Sequence, residues 1–153
     1  MEKIQYIDYF EIELDVLLKE YELIKDLLED VTTHGNKVLV QKKFHLVRDR
    51  QVRYSLENLP YTREVIRKIK KIFQFTDATY RMVMPNTAYN WHYDQGSICY
   101  HIPLISNMGC FFVYEDKLYS MLPGKLYKVQ NNYYHTFVNA GPEPRVHITF
   151  ENL

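Results

Sequence analysis

Hydrophobic positions in the first part of the chain recur at helical spacing. Within residues 11–30 the apolar side chains fall three or four residues apart, with acidic residues between them: Leu14, Leu17, Leu18, Tyr21, Ile24 and Leu28. Such positions collect on one face of a helix. The pattern therefore predicts an amphipathic helix over residues 11–30 that covers a sheet and ends at His34-Gly35-Asn36.

A second helix is predicted from Pro60 and Thr62 to about Phe73, because proline is well tolerated in the first helical turn. Its apolar positions face inward: Val65, Ile66, Ile69, Ile72 and Phe73. Its outer side is basic, with Arg63, Arg67, Lys68, Lys70 and Lys71. Between the two helices, runs of Val, Leu and Phe alternate with Lys and Arg from Lys37 to Ser55, which indicates about two strands exposed on one face.

After Phe75 the pattern changes to short β-rich runs separated by turn signals: Pro85-Asn86, Asp94-Gln95-Gly96, Ser106-Asn107, Glu115-Asp116, Pro123-Gly124, Asn131-Asn132 and Gly141-Pro142. Strands at this spacing are typical of a jelly roll or barrel, whose interior can hold a ligand. We therefore expect a mainly β fold with N-terminal helices, in one domain over residues 1–153. Residues 1–75 would form a supporting region of helices and strands, and residues 76–153 the β core.

Charge and composition narrow the classes of function. The formal net charge is zero, but residues 1–34 hold 10 acids and 3 bases, whereas residues 37–71 hold 11 bases and 3 acids. Oppositely charged segments usually solvate or complement one another across a surface, so a nucleic acid is not the partner that we expect. No apolar run approaches the ~18 residues of a membrane span, and the first residues lack a secretory signal.

Cys99 and Cys110 form neither a CxxC pair nor a disulfide framework, which fits a reducing compartment. We therefore expect a cytoplasmic protein.

Candidate metal ligands lie in the β-rich part of the chain. In Trp91-His92-Tyr93-Asp94 a histidine and an aspartate are two residues apart. On an extended strand such side chains project to the same face, so they can converge on one ion. His135 follows after several predicted strands and can return to the same cavity. Two neutral imidazoles and one carboxylate suit Fe(II) with positions left open for a co-substrate and O2.

Arg145 follows His135 by ten residues and supplies a cation for an anionic co-substrate. The stretch from Asn139 to Pro144 is rich in turn residues. We therefore expect the strands that carry His135 and Arg145 to run antiparallel, with the guanidinium opposite the metal end. A planar guanidinium can bind a carboxylate through two parallel hydrogen bonds.

Several ordered motifs between Tyr80 and Phe150 resemble one family. They read Arg81-Met-Val-Met-Pro85, then Trp91 to Asp94, His101-Ile-Pro-Leu104, Leu122-Pro-Gly124-Lys-Leu-Tyr127, Asn132 to His135, Asn139, and Arg145-Val-His147-Ile. The set resembles the aspartyl/asparaginyl β-hydroxylase-like branch of Fe(II)/2-oxoglutarate dioxygenases, which includes bacterial cis-proline hydroxylases. The matching stretch covers about half of the chain, and residues 1–75 add no comparable signature.

The resemblance implies a double-stranded β-helix of the cupin type, with Fe(II) bound by His92, Asp94 and His135. It also implies that 2-oxoglutarate chelates the metal and that Arg145 holds its far carboxylate. Four further residues match positions near substrate or co-substrate: Arg81, His101, Tyr127 and Asn139. The implied reaction is hydroxylation of a C–H bond in an amino acid or a peptidyl residue, with O2 as oxidant.

Two other functions use the same residues. Family members commonly carry an arginine two residues before the histidine of His-Ile-Pro-Leu, and here that position is Cys99. Loss of this cation leaves the co-substrate's identity open and is compatible with a cupin-like metal-binding module or a lapsed enzyme. A cupin isomerase or hydrolase that holds Zn or Mn would use the three ligands without O2.

Overall fold

The computed structural model describes residues 2–31 and 41–153. In this part of the chain two α-helices lie among a series of short strands, both within the first half of the sequence. The helices are α1 (Leu14–Ile24) and α2 (Pro60–Lys70). The strands are β1 (Ile4–Tyr6), β2 (Glu29–Val31), β3 (Gln41–Arg48), β4 (Gln51–Val52), β5 (Asp77–Val83), β6 (Thr87–Ala88), β7 (Ile98–Ile105), β8 (Cys110–Tyr114), β9 (Leu118–Tyr119), β10 (Tyr127–Gln130), β11 (His135–Asn139) and β12 (Arg145–Glu151).

The strands form two antiparallel sheets that face each other. The large sheet has the order β1-β10-β7-β12-β5-β3-β2, with β4 paired to β3. The small sheet has the order β6-β11-β8-β9. Side chains from both sheets, such as Cys99, Phe112 and Val129, meet in one apolar cluster. This is the predicted jelly roll of the cupin type, with the helices on the N-terminal side of the β core.

Alternation along the central strands gives the large sheet two different faces. On β12 the even positions Val146, Ile148 and Phe150 belong to the apolar core under the helices. The odd positions carry the polar side chains Arg145, His147, Thr149 and Glu151. Because successive side chains of a strand point to opposite faces, the odd positions look into the space between the sheets. Strands β5 and β7 follow the same alternation. The space between the two sheets, called the cup below, therefore has a polar wall on the large-sheet side.

The two helices pack on the apolar face of the large sheet. Leu17 and Ile24 of α1 and Ile69 of α2 are fully buried in that core. The helices are joined through Glu20, whose carboxylate accepts hydrogen bonds from the backbone N–H groups of Tyr61 and Thr62 at 2.8 and 2.7 Å. A carboxylate of one helix therefore caps the N-terminus of the other.

Helix α1 is shorter than the sequence pattern predicts. It ends at Ile24 rather than near residue 30, followed by a 3-10 turn over Lys25–Leu27 and by β2. Strand β2 pairs with β3 in antiparallel register, and this pairing ends the helical path although Leu28 keeps its buried position. The predicted stop at residues 34–36 lies outside the described residues. The second helix begins at Pro60, as predicted, and ends about one turn before Phe73.

The strand pattern is predicted more accurately. The two strands expected between Lys37 and Ser55 are β3 and β4, as far as the structure describes them. They form a hairpin whose turn residues, Asp49 and Arg50, both have positive φ angles of 51° and 64°. Each of the predicted turn signals after Phe75 falls between strands. Within the described ranges no helix has the length and apolarity to span a membrane.

The predicted antiparallel relation between the strands of His135 and Arg145 does not arise from a paired hairpin. His135 begins β11 in the small sheet and Arg145 begins β12 in the large sheet, so the two strands do not pair. Strand β11 pairs with β6 and β8, while β12 pairs with β5 and β7. The turn-rich stretch between them therefore crosses from one sheet to the other. His135 and Arg145 approach the same cavity from opposite walls.

Candidate metal centre

Three candidate ligands converge at one end of the cup. His92, Asp94 and His135 each offer one ligand atom, and these atoms lie within 4.8 Å of one another. Nε2 of His92 is 3.7 Å from Oδ2 of Asp94, and the two imidazole centroids are 4.5 Å apart. Ligand atoms that share one ion of about 2.0–2.2 Å bond length must lie within roughly 4.4 Å of each other, so a small side-chain adjustment completes the site.

The backbone brings the two histidines together without a regular strand at residues 91–94. His92 makes an isolated antiparallel bridge to His135. The amide of His92 donates to the carbonyl of His135 at 3.0 Å, and the amide of His135 donates to the carbonyl of His92 at 2.8 Å. The amide of Asp94 donates to the carbonyl of Asn131 at 2.8 Å. The predicted extended strand at this motif is therefore wrong, and a bridged loop places the side chains instead.

Hydrogen bonds orient both imidazoles for metal binding. Nδ1 of His92 lies 2.7 Å from the carbonyl oxygen of Asn90, and Nδ1 of His135 lies 2.7 Å from that of Tyr133. A carbonyl can only accept, so each Nδ1 must be the protonated donor. Each Nε2 is then left with a free lone pair, which is the arrangement that supports a metal ligand.

The environment of His135 favours the neutral ring that a metal requires. His135 is buried, and its ring stacks against Tyr114 at a centroid distance of 5.5 Å. Burial lowers the pKa of the His135 imidazole below its usual value, against a raising effect of the Tyr133 carbonyl. Asp94, by contrast, is exposed, so the ligand set faces solvent on one side.

A cavity of about 210 Å³ extends from the three ligands into the cup. Its lining combines both sheets: Gln41, Lys43, Arg81, Cys99, His101, Arg145, Thr149 and Glu151 come from the large sheet, and Phe112, His135 and Phe137 from the small one. Most of the large-sheet members occupy the odd positions described above. Lys43, Thr149 and Glu151 were not predicted as site residues from the sequence, although the alternation on β12 would have indicated the last two.

Arg145 is a buried cation facing this cavity. Only 4% of the residue is exposed, and its guanidinium lies over the rings of Phe137 and Phe112, with centroid distances of 5.0 and 5.7 Å. Its Nε has no hydrogen-bond partner, and it forms no ion pair with any residue that the structure describes. Burial lowers the pKa of Arg145 to about 10, so the group is still charged at neutral pH.

The position of Arg145 relative to the ligands follows from the strand geometry. Its guanidinium is level with Phe137, and His135 lies two residues away on the same strand, about 7 Å along β11. Arg145 and the three candidate ligands therefore line one cavity, with the guanidinium displaced from His135 along β11. A buried guanidinium without a partner carries a large desolvation cost, which an anionic ligand would offset.

His101 contributes a second polar group to the cavity and contacts His147. The Nδ1 atoms of the two buried rings are 3.0 Å apart. Burial, and then the Arg145 guanidinium, holds the pKa of each imidazole well below the usual value. Both rings are therefore neutral near pH 7, and one Nδ1 donates its hydrogen to the other. This hydrogen bond to His147 fixes the orientation of the His101 ring.

Arg81 lines the cavity but its charge is already engaged. Its Nε donates to Oγ1 of Thr149 at 2.9 Å, and its Nη2 forms an ion pair with Glu151. Cys99, at the position where the resemblance expects an arginine, is buried and lies opposite Glu151 in the sheet register. Burial raises the pKa of the Cys99 thiol to about 12, so it supplies no charge.

Two predicted site residues lie elsewhere. Tyr127 belongs to the apolar cluster between the sheets, and its ring lies against that of Tyr6. Its hydroxyl accepts a hydrogen bond from the amide of Leu122 at 2.8 Å. Asn139 is fully buried, and its side-chain amide donates to the carbonyls of Val83 at the end of β5 and of Glu143 in the β11–β12 connection. Neither residue lines the cavity. Their contacts are those of packing and turn residues.

Comparison with known proteins gives a family match. The family model described as aspartyl/asparaginyl beta-hydroxylase matches residues 11–152. No curated protein matches the sequence.

Among solved structures, a prolyl hydroxylase from Trichoplax adhaerens, in complex with a hypoxia inducible factor oxygen degradation domain peptide fragment, has 12% identity and a TM-score of 0.69. The match covers 97% of this chain and 82% of that one.

Two further structures show how widely the fold is shared. A prolyl-4-hydroxylase from Pseudomonas putida has 12% identity and a TM-score of 0.59, over 100% of this chain and 94% of that one. A predicted oxalate decarboxylase from Thermotoga maritima has 14% identity and a TM-score of 0.53, over 82% and 91% of the two chains. At these identities the likeness concerns the fold, which carries different chemistries in different proteins.

Proposed function

The chain belongs to the aspartyl/asparaginyl β-hydroxylase family, and we propose that it is an Fe(II)- and 2-oxoglutarate-dependent dioxygenase. It would hydroxylate a C–H bond of an amino acid or of a peptidyl residue. One observation carries the proposal. Three metal ligands at the rim of a cavity share that cavity with Arg145, a buried guanidinium whose Nε has no partner.

The ligand set fits the metal. Two imidazoles with free Nε2 atoms and one carboxylate form the two-histidine, one-carboxylate set that non-haem Fe(II) oxygenases use, with open coordination positions. Bound iron would supply the activation of O2 that C–H hydroxylation requires. The protein's own contribution is to hold His92 and His135 through their Nδ1 hydrogen bonds to backbone carbonyls and to enclose the reacting groups in the cup.

Arg145 is the proposed partner of the distal carboxylate of 2-oxoglutarate. The guanidinium lies over the Phe112 and Phe137 rings, and it can donate two parallel hydrogen bonds to a carboxylate. His101 lines the same cavity and is oriented by its contact with His147, so we propose it as a further polar contact to the co-substrate. Arg81 is also a proposed contact to the co-substrate. Its attraction for an anion is weaker than that of Arg145, because Glu151 already balances its charge.

The substrate proposal covers free amino acids and peptidyl residues. The Trichoplax adhaerens structure contains a peptide fragment, and this supports the peptidyl form. At the rim, Trp91 and Tyr93 are 45% and 48% exposed, and both lie against the ring of Tyr134. Exposed aromatic residues next to a site are typical of surfaces that contact a ligand or partner.

One observation favours a second function. Cys99 is neutral and buried where the resemblance expects an arginine, so one cation for the co-substrate is missing. A metal-binding module without oxygenase turnover would tolerate this loss. The unpartnered Arg145 argues against it, because such a module does not require a buried cation facing the metal.

The test is anaerobic loading with Fe(II) followed by 2-oxoglutarate. A weak visible charge-transfer band is expected for the dioxygenase, and His135→Ala should abolish it. On admission of O2, succinate should form in the wild type and not in His135→Ala. Wild-type protein that binds Fe(II) but shows neither the band nor succinate above that variant would contradict the dioxygenase and favour the binding module.

A further inference from the structure

Three charged side chains from neighbouring strands line the large-sheet wall of the cavity. Lys43 on β3 lies opposite Arg81 on β5 in the sheet register. Arg81 reaches along the sheet to Glu151 on β12. All three line the cavity that contains the metal ligands and Arg145. The wall across from the small-sheet ligand His135 is therefore charged, and the proposed reaction so far gives no role to Lys43 or Glu151.

Within this group Lys43 has no ion-pair partner among the described residues. Glu151 is already bound by Arg81 and by the hydroxyl of Thr149. The Glu151 carboxylate is close enough to raise the pKa of Lys43, but the two side chains form no ion pair. The group as a whole carries one excess positive charge, since two cations face one carboxylate. Lys42, the next residue along β3, is instead paired with Asp30 outside the cavity.

The environment of Lys43 makes its free ammonium costly. The residue is half-buried, and burial, together with repulsion from Arg81, lowers the pKa of Lys43 to about 8. Desolvation of an unpaired ammonium destabilises the folded state unless an anion meets it. An anionic group in the cavity beside Lys43 would remove this cost and balance the excess charge.

The size of the cavity limits what that anion can belong to. Its volume is about 210 Å³, less than the roughly 300–1,000 Å³ of pockets that take drug-sized ligands. The proposed co-substrate, held by Arg145, would take up part of this volume. The remaining space near Lys43 therefore fits a small group.

We propose that Lys43 binds a carboxylate of the substrate that is to be hydroxylated, so that this site takes a small carboxylate-bearing molecule such as a free amino acid. The inference rests on the proposed function, because it places the co-substrate at Arg145 and the reacting substrate at Lys43. It assigns Lys43 a role in substrate specificity. Arg81 and Glu151 position this lysine by setting the local charge, and they do not themselves need to contact the substrate.

Binding to redox-inert protein tests this role without turnover. Zn(II)-loaded protein, with and without saturating 2-oxoglutarate, is titrated calorimetrically with each of the common L-amino acids and with the carboxamide of the tightest binder. Wild type should bind at least one amino acid, and its carboxamide at least tenfold more weakly. Lys43→Met should weaken binding of the acid by a similar factor and should leave carboxamide binding unchanged. Lys43→Arg should retain most of the affinity.

Matched controls separate this role from others. Lys42→Met makes the same change one residue away, outside the cavity, and should bind like wild type. Failure of every amino acid to bind, equal binding of acid and amide, or equal losses in Lys42→Met and Lys43→Met would overturn the inference. A loss in Lys43→Met of 2-oxoglutarate affinity alone would also overturn it, because the lysine would then serve the co-substrate. 2-Oxoglutarate binding to the wild type is measured separately and reports on the proposed function.

Discussion

At the scale of single residues, Arg145 lowers the stability of the folded protein but provides a binding group for the proposed co-substrate. Its guanidinium is buried against two phenylalanine rings and lacks a partner at Nε. A buried charge without a counter-ion destabilises the folded state, and its replacement by an apolar side chain is often neutral or stabilising. Stability and ligand binding should therefore respond in opposite directions when this residue is changed.

We predict that Arg145→Met weakens 2-oxoglutarate binding tenfold to hundredfold, since hydrogen bonds to charged groups contribute about 1.5–3 kcal/mol. The free energy of unfolding of the ligand-free protein should stay the same or rise. Arg145→Lys should fall between the two proteins, because an ammonium keeps the charge without the two parallel bonds. Calorimetric titration and urea denaturation measure the two effects.

The control for this prediction is Arg63→Met, since Arg63 is an exposed residue of α2. It should bind 2-oxoglutarate like wild type. If Arg145→Met bound the co-substrate with unchanged affinity, the carboxylate would have to sit elsewhere in the cavity.

Residue types could be read from the sequence better than their partners. The residue types and order of His92, Asp94, His135 and Arg145 indicate an ion and an anion, and the structure brings all four to one cavity. The contacts of Asn139 with the carbonyls of Val83 and Glu143 could not be foreseen. An amide side chain serves turns and ligands equally well, so only the tertiary structure decides between these uses.

At the scale of elements, Glu20 joins the two helices. Its carboxylate accepts bonds from two backbone amides at the start of α2 and from the Thr62 hydroxyl at 2.7 Å. The residue is 8% exposed, so water cannot replace it. The interaction supplies partners to amides that a helix N-terminus leaves open.

We predict that Glu20→Ala lowers the free energy of unfolding by about 2–4 kcal/mol, because buried donors would lose a charged acceptor. Glu20→Gln should cost less, since the amide oxygen still accepts. The neighbouring exposed residue Glu22 provides the matched control Glu22→Ala, which should change stability by less than about 0.5 kcal/mol. Urea denaturation followed by circular dichroism measures all three. Equal losses at both positions would mean that Glu20 does not cap α2.

The extent of each element depended on pairing that local pattern does not encode. Turn signals marked the strand boundaries correctly because Gly, Pro and Asn act through their own backbone preferences. Helix α1 stopped early because β2 pairs with β3, and the residues of β2 gave no local sign of this. The assignment of β11 and β12 to opposite sheets is likewise a long-range choice, which sequence spacing cannot distinguish from a hairpin.

At the scale of the whole molecule, buried neutral histidines link stability to pH. Burial, with Arg145 as a further cause, holds the pKa of His101 and His147 well below the usual 6.5. Below about pH 6.5 the unfolded chain binds protons at these positions while the folded protein does not. The free energy of unfolding therefore decreases as the pH falls, until the pH reaches the pKa values of these histidines in the folded protein.

We predict that the free energy of unfolding decreases below pH 6.5, with a slope of up to about 1.4 kcal/mol per pH unit for each histidine. His147→Gln removes one of the two groups and should make the slope shallower over this range. The metal-free protein is used, so that ligand protonation does not contribute through bound metal. Urea denaturation between pH 5 and pH 7.5 gives the slopes. Parallel curves for the two proteins would show that His147 is not the acid-sensitive group.

The alternation along β12 also restricts which insertions and deletions the protein can accept. The connection over residues 140–144 fixes which β12 side chains enter the cup, and Gly141 lies so close to Asn107 that a side chain there would collide with it. Deletion of one residue would shift the strand by one position. Arg145, His147, Thr149 and Glu151 would then turn toward the helices, and valine, isoleucine and phenylalanine would fill the cup. Natural insertions and deletions should therefore be scarce in this connection and easier to accept in the exposed turn at Gln95-Gly96.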